Sequence, residues 1–138
     1  DGHGRGIAEF CRPQNGYRLG TRGYRYAGVC PADLETLFLA AYGDGFGLYE
    51  RRVAVERLDK KIARLHKRSQ KIERSMAEKT TALVLPQTPP AQRVTIGVEL
   101  KQLTEERIGI ERSISELESD LAHARQDYRD YNDNLARR

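Results

Sequence analysis

Cys11 and Cys30 stand near the ends of the stretch "FCRPQNGYRLGTRGYRYAGVC", which also carries four Arg, four Gly and three Tyr. Three kinds of chemistry are open to such a set. A thiolate paired with an imidazole is a nucleophile, but His3, His66 and His123 are scattered and no catalytic signature surrounds either cysteine. Structural zinc takes four ligands, and two cysteines without clustered histidines fall short of that. A disulfide needs only the two sulfurs. It would close a loop of about 20 residues and stabilise the fold by roughly 3 kcal/mol through loop entropy. It would also pin a glycine-rich segment with little apolar area of its own. The disulfide is the favoured reading, and two free thiols are the alternative. No catalytic residue, metal or cofactor is expected, and a disulfide implies an oxidising compartment.

The arginines and tyrosines open a second possibility. Arg12, Arg18, Arg22 and Arg25 alternate with Tyr17, Tyr24 and Tyr26. Guanidinium planes and phenol rings can neutralise phosphates and stack on bases. The same side chains are favoured anchors of protein interfaces, where they give large contact area with satisfiable polar tips. A solvated disulfide loop would need neither role. Arg18, Arg22, Tyr24, Arg25 and Tyr26 are the candidate partner-binding residues.

These side chains depend on the elements around them. Asn15-Gly16, Gly20 and Gly23 carry turn chemistry, which predicts irregular chain between the cysteines after a short N-terminal helix. Residues 1–31 form this first section. Pro31 lies near the first turn of a long helix over 32–85. "HGRGIAEF" and "DGFGLYER" share a Gly-x-Gly-apolar-x-Glu pattern and read as a faint repeat of one helical element, its small residues allowing close helix contact. Neither copy follows a strand, so the pattern is no dinucleotide fingerprint.

Beyond residue 50 the apolar rhythm takes over. Val55, Leu58, Ile62, Leu65, Ile72, Met76 and Leu83 fall on alternating three- and four-residue steps, with Ser69 and Lys79 as polar exceptions. Ile96, Leu100, Leu103, Ile110, Ile114, Leu117, Leu121, Ala124, Tyr128, Tyr131 and Leu135 continue it, broken by Arg107. That spacing marks a coiled-coil seam. Pro86, Pro89 and Pro90 cannot sit in a helix interior, so 86–90 is a turn and 91–136 a second long helix. Thr88 is placed to cap that helix. The fold class is therefore all-α: a short helix, an irregular loop closed by the two cysteines, and an antiparallel hairpin over 31–138. Folding back at the turn brings Met76 near Leu103 and Ile62 near Leu117. It also brings Tyr128 and Tyr131 to the glycine-rich stretch "AYGDGFGLYERR", whose small residues would admit wide rings.

Charge supports the hairpin. Residues 51–79 hold eleven Lys/Arg against four Asp/Glu, and residues 99–130 hold five against nine. Two such arms attract each other, which weakens any inference to nucleic acid from the net charge of +4. The 32% charged content and absence of Trp suit exposed helices. No apolar run approaches the roughly 18 residues of a membrane span, so a soluble piece is expected. The chain starts at Asp1 inside a helical pattern, as a trimmed or processed piece would, so a signal peptide or lipid anchor could precede it.

Residues 4–52 resemble the C-terminal part of the bacterial family catalogued as domain of unknown function 2799. The matching features are aromatic-Cys at Phe10-Cys11, Asn15-Gly16-Tyr17, the Gly20-x-x-Gly23 pair, Tyr26-x-Gly28-Val29-Cys30-Pro31, and the helix bearing Tyr42, Gly45 and Tyr49. The resemblance implies a Gram-negative envelope protein, periplasmic or on the periplasmic face of the outer membrane, often with a lipoprotein-type signal upstream. It also implies that the family's two cysteines fall at Cys11 and Cys30. It assigns no activity. A non-enzymatic structural or protein-interaction module presenting a helical hairpin is the leading expectation, with a protein partner or self-association into a dimer. An inhibitor or immunity-type protein acting through the Arg/Tyr loop is the alternative, and nucleic-acid binding through the same loop comes last.

Overall fold

The computed structural model describes the backbone of residues 2–138 and the side chains of residues 4–138; Asp1 and the side chain of His3 lie outside the described residues. Among those residues there are four helices and no strand: α1 (Gly2–Phe10), α2 (Pro13–Thr21), α3 (Ala32–Val84) and α4 (Pro90–Ala136). The chain divides into two compact units. Residues up to Glu56 together with Ala122–Arg138 make the first, and Arg57–Leu121 the second.

The cysteine-bracketed segment is not wholly irregular, because α2 occupies residues 13–21. Pro13 supplies the first helical position at no cost, since its missing N–H would be unsatisfied there anyway. Gly16 and Gly20 lie one turn apart and are both buried. A Cβ on Gly16 would stand 2.5 Å from the Phe38 carbonyl oxygen, and one on Gly20 would stand 2.7 Å from the Phe46 amide nitrogen. From the other side, a Cβ on Gly45 would approach the Thr21 amide to 2.9 Å. The glycines that looked like turn formers are thus a surface for backbone-to-backbone packing of α2 on α3. That contact outweighs the helix cost of about 1 kcal/mol per glycine. The turn signal at Gly23 is genuine: φ is +71°, its N–H donates to the Gly20 carbonyl, and the Tyr24 N–H donates to Leu19, closing a Schellman motif at the end of α2.

The first unit's core is small. Cys11, Cys30 and Phe38 are buried, and Ile7, Leu19, Tyr26 and Leu34 pack around them. The two cysteines form a disulfide with Cα atoms 5.7 Å apart. Phe38, Tyr42, Phe46 and Tyr49 then run along α3 at four- and three-residue steps. Phe10 and Tyr26 join them, with ring centroids 5.0 to 6.4 Å apart. The proposed repeat splits here. Gly45 and Gly47 are closely covered, whereas Gly4 and Gly6 face open space, so the two copies do not share a packing role.

The second unit is a helical hairpin. Ile72, Ile110 and Ile114 are buried with Ile62, Leu65, Met76 and Leu103 against them, and Leu121 is buried at the unit's end. Leu58, Ile96, Leu100 and Leu117 are half-buried on the same three- and four-residue steps. Opposite charges join the arms: Arg68 donates to Glu106 at 2.5 Å, and Lys79, a polar member of the seam, pairs with Glu99. The turn spans the residues between Val84 and Pro90. Thr88 does not cap α4. Its hydroxyl donates back to the Ala82 carbonyl at 2.6 Å, closing the end of α3, while Pro89 offers its carbonyl to the Arg93 amide at the start of α4. Val84, Leu85, Val94 and Val98 are exposed around this turn.

Candidate functional site

The segment from Arg22 to Pro31 holds most of the candidate binding residues, and its backbone is fixed from several sides. The Schellman motif aims it away from α2. The Tyr42 hydroxyl donates to the Tyr24 carbonyl at 2.6 Å, and Arg52 donates to the Thr21 carbonyl at 2.8 Å. Gly23 sits on the Tyr49 ring, where a Cβ would come within 2.6 Å of ring carbon. The disulfide closes the far end.

Tyr26 belongs to this internal scaffold. Its hydroxyl accepts from the Cys30 amide at 2.9 Å and donates to Glu35 Oε2 at 2.8 Å, and its ring lies against Phe38. Burial raises its pKa above the usual tyrosine value; the Cys30 N–H works against that rise and the Glu35 carboxylate adds to it. The phenol therefore stays protonated and continues to donate to Glu35.

Arg22, Tyr24 and Arg25 face solvent, Tyr24 with 55% exposure. Neither arginine makes a side-chain hydrogen bond or ion pair with a described residue. Arg18 stands apart: it donates to Asn15 Oδ1 at 3.1 Å, while Asn15 Nδ2 donates to the Phe10 carbonyl at 2.7 Å and so ties α2 to the end of α1. Arg18 lines an open groove of about 510 Å³ with Glu9, Phe10, Arg12, Gln14 and Asn15. The five candidates thus separate into an exposed trio, one groove residue and one structural tyrosine.

The other end of the first unit is also anchored by tyrosine. Tyr131 donates to the Asp44 carbonyl at 2.7 Å, and the Arg51 guanidinium lies 4.0 Å over its ring. Its hydroxyl occupies the space where a Cβ on Gly47 would be. Burial raises the Tyr131 pKa, with the Asp44 carboxylate adding and Arg51 and Arg138 opposing. Arg51 also reaches Asp127 at 3.3 Å and the Gly47 carbonyl at 3.0 Å. The aromatic file on α3 was not singled out from the sequence, although its four- and three-residue spacing was there to be read.

Among the described residues no group of three or more His, Cys, Asp or Glu could hold a metal ion. No helix there is long and apolar enough to cross a membrane. Residues 1–47 match the model of a family described as a protein of unknown function, DUF2799. That span covers α1, α2, the disulfide and α3 as far as Gly47, the part in which rings and glycines close on one another. No curated protein and no solved structure matches the chain.

Proposed function

We propose that this chain is a non-enzymatic protein-interaction module of the Gram-negative envelope, working in the periplasm and meeting its partner through the Arg22–Tyr24–Arg25 face. The observation that carries the reading is a contrast in how this segment is held. Its backbone is tied by the Schellman motif, the Tyr42 hydroxyl and the disulfide, yet its three large polar side chains have no internal work. A fixed backbone presenting Arg and Tyr lowers the ordering cost of association, and these residue types supply most interface hot spots. The disulfide supports an oxidising address, since such bonds persist outside the cytosol.

Two experiments test this. Oxidised protein bearing a photo-crosslinker is exposed to envelope extract beside an Arg22→Ala, Tyr24→Ala, Arg25→Ala variant of equal helicity and melting temperature. A discrete adduct formed by the native chain and lost in the variant is the expected result. Identical adducts from both would remove this face from the reading. Thiol labelling of protein taken from cells, with and without reductant, tests the compartment. Strong labelling without reductant would end the envelope assignment.

A further inference from the structure

The tip of the hairpin in the second unit is chemically unlike its arms. Residues 57–79 carry twelve Asp, Glu, Lys or Arg in 23 positions and residues 99–121 carry ten in 23, whereas residues 80–98 carry Arg93 alone. In that uncharged stretch Val84 is 73% exposed and Val94 70%, and Leu85 and Val98 are exposed too. Elsewhere in this unit Ile108 is the one exposed large hydrophobic among the described residues. We infer that the tip, residues 80–98, sinks into the interfacial layer of an electrically neutral lipid bilayer, as a peripheral anchor and not as a span.

Three observations favour lipid over a second protein. The first is charge. Lys79 and Glu99 pair across the arms where the charged stretches end, so the surface beyond them offers nothing complementary to an acidic or basic partner. The second is how the tip's polar atoms are used. The hydroxyls of Thr81, Thr88 and Thr95 donate to the Ala77, Ala82 and Ala91 carbonyls, and the Arg93 guanidinium donates to the Leu85 carbonyl at 2.9 Å. Pro86, Pro89 and Pro90 have no N–H to satisfy. A protein interface carries about one hydrogen bond per 100–200 Å² and would call on such atoms, whereas an apolar layer requires them to be bonded already. The third is depth. Residues 80–84 of α3 rise about 7 Å at ~1.5 Å per residue, within the roughly 5–10 Å to which interfacial helices sink. Arg93 has an apolar stem long enough to keep its head among the headgroups, and the neutral amides of Gln87 and Gln92 suit the same level.

The test is co-sedimentation of the native chain with phosphatidylcholine vesicles at about 0.1 M and about 1 M salt, a change that shortens the Debye length from about 10 to about 3 Å. Binding at both concentrations is expected, because burial of Val and Leu drives it. No binding overturns the inference. Binding confined to phosphatidylglycerol vesicles and lost in high salt also overturns it, since the basic arm would then supply the attraction. A Val84→Gln, Val94→Gln variant should bind about tenfold more weakly or worse, and unchanged binding would remove the tip. The chain has no Trp, so a single introduced one reports its own surroundings. Emission from Val94→Trp should move to shorter wavelength on vesicles, and emission from Lys67→Trp, at an exposed position on the arm, should not. Equal shifts would mean that the hairpin lies flat on the bilayer. A shift in Val94→Trp that grows with protein concentration and needs no vesicle would give the face to a second copy. Sedimentation of the native chain needs no altered protein, so a variant that folds poorly cannot rescue the idea. The tip shares no residue with the Arg22–Tyr24–Arg25 face, so either reading can fail alone.

Discussion

The two compact units share α3 and α4, the first adds α1 and α2, and they are packed by different chemistry. All seven Tyr, all three Phe and both Cys lie in residues 1–56 and 122–138, and residues 57–121 contain none of them. Ten of the twelve glycines are in the first unit as well. There, rings fill space and bare backbone meets bare backbone, each contact specific to one position. The second unit repeats one aliphatic step, with Ile, Leu and Met at seam positions and ion pairs such as Arg68–Glu106 beside it. A repeating seam gains from every additional turn. A close-packed crossing of short helices has no such reserve, because α1 and α2 have nine residues each and isolated helices of that length are marginal. The difference explains why the staple lies in one unit only.

The largest effect should come from removing that staple. Reduction, or a Cys11→Ser, Cys30→Ser double variant, is expected to cost about 3 kcal/mol by the loop-entropy relation. Near-UV circular dichroism follows only the first unit, since all aromatic side chains are there, and far-UV dichroism follows every helix. The near-UV transition should move to lower temperature by more than the far-UV one. If both transitions move together, or neither moves, the two units do not differ in their need for the cross-link.

Glycine separates the units by sign. Gly20→Ala forces a Cβ into the α3 backbone, with the Phe46 amide 2.7 Å away, so the helices must part. A loss of about 2 kcal/mol is expected for such overpacking of a closed contact. Gly109→Ala in α4 meets nothing within 4 Å. It should instead gain about 0.5–1 kcal/mol, because alanine loses less entropy in a helix. Chemical denaturation of both variants checks the pair, and a Gly20→Ala chain as stable as the native one would show that α2 and α3 do not meet so closely.

The sequence was most legible where its information was periodic. Steps from Val55 to Leu83 and from Ile96 to Leu135, interrupted by three prolines, place two long helices and their turn; α3 ends at Val84 and α4 begins at Pro90. Cys11 and Cys30 could be joined on paper because an alternative ligand set was missing. Legibility failed where one residue type serves two purposes. Gly16 and Gly20 carry turn propensity, and nothing local reveals that a partner helix lies against them, so α2 read as irregular chain. Thr88 fits a cap by position, but its hydroxyl reaches back to Ala82, a choice made by the fold of the turn. Tyr26 read as a binding residue beside Tyr24, because the sequence does not show that Glu35 and Cys30 enclose its hydroxyl.

The smallest effect separates two arginines that share one feature. Arg51 and Arg107 each bury an Nε atom that makes no hydrogen bond. Arg51 is repaid by its neighbours: the Tyr131 ring beneath it, the Gly47 carbonyl and the Asp127 carboxylate. Arg51→Leu should therefore cost about 2 kcal/mol, the sum expected for a cation–π contact and a charged hydrogen bond. Arg107 interrupts an aliphatic seam, and among the described residues its ion-pair partner is Glu111, 3.9 Å away on its own helix. Replacing it with Leu gives up a solvated i,i+4 pair of little worth and extends the apolar stripe, so a gain of about 1 kcal/mol is expected from the added apolar burial. Polar seam residues can also fix register and chain number. Sedimentation of Arg107→Leu beside its thermal melt distinguishes the two roles. A more stable chain of unchanged mass marks Arg107 as a local cost, and a change in mass marks it as the residue that restrains the seam from recruiting another copy.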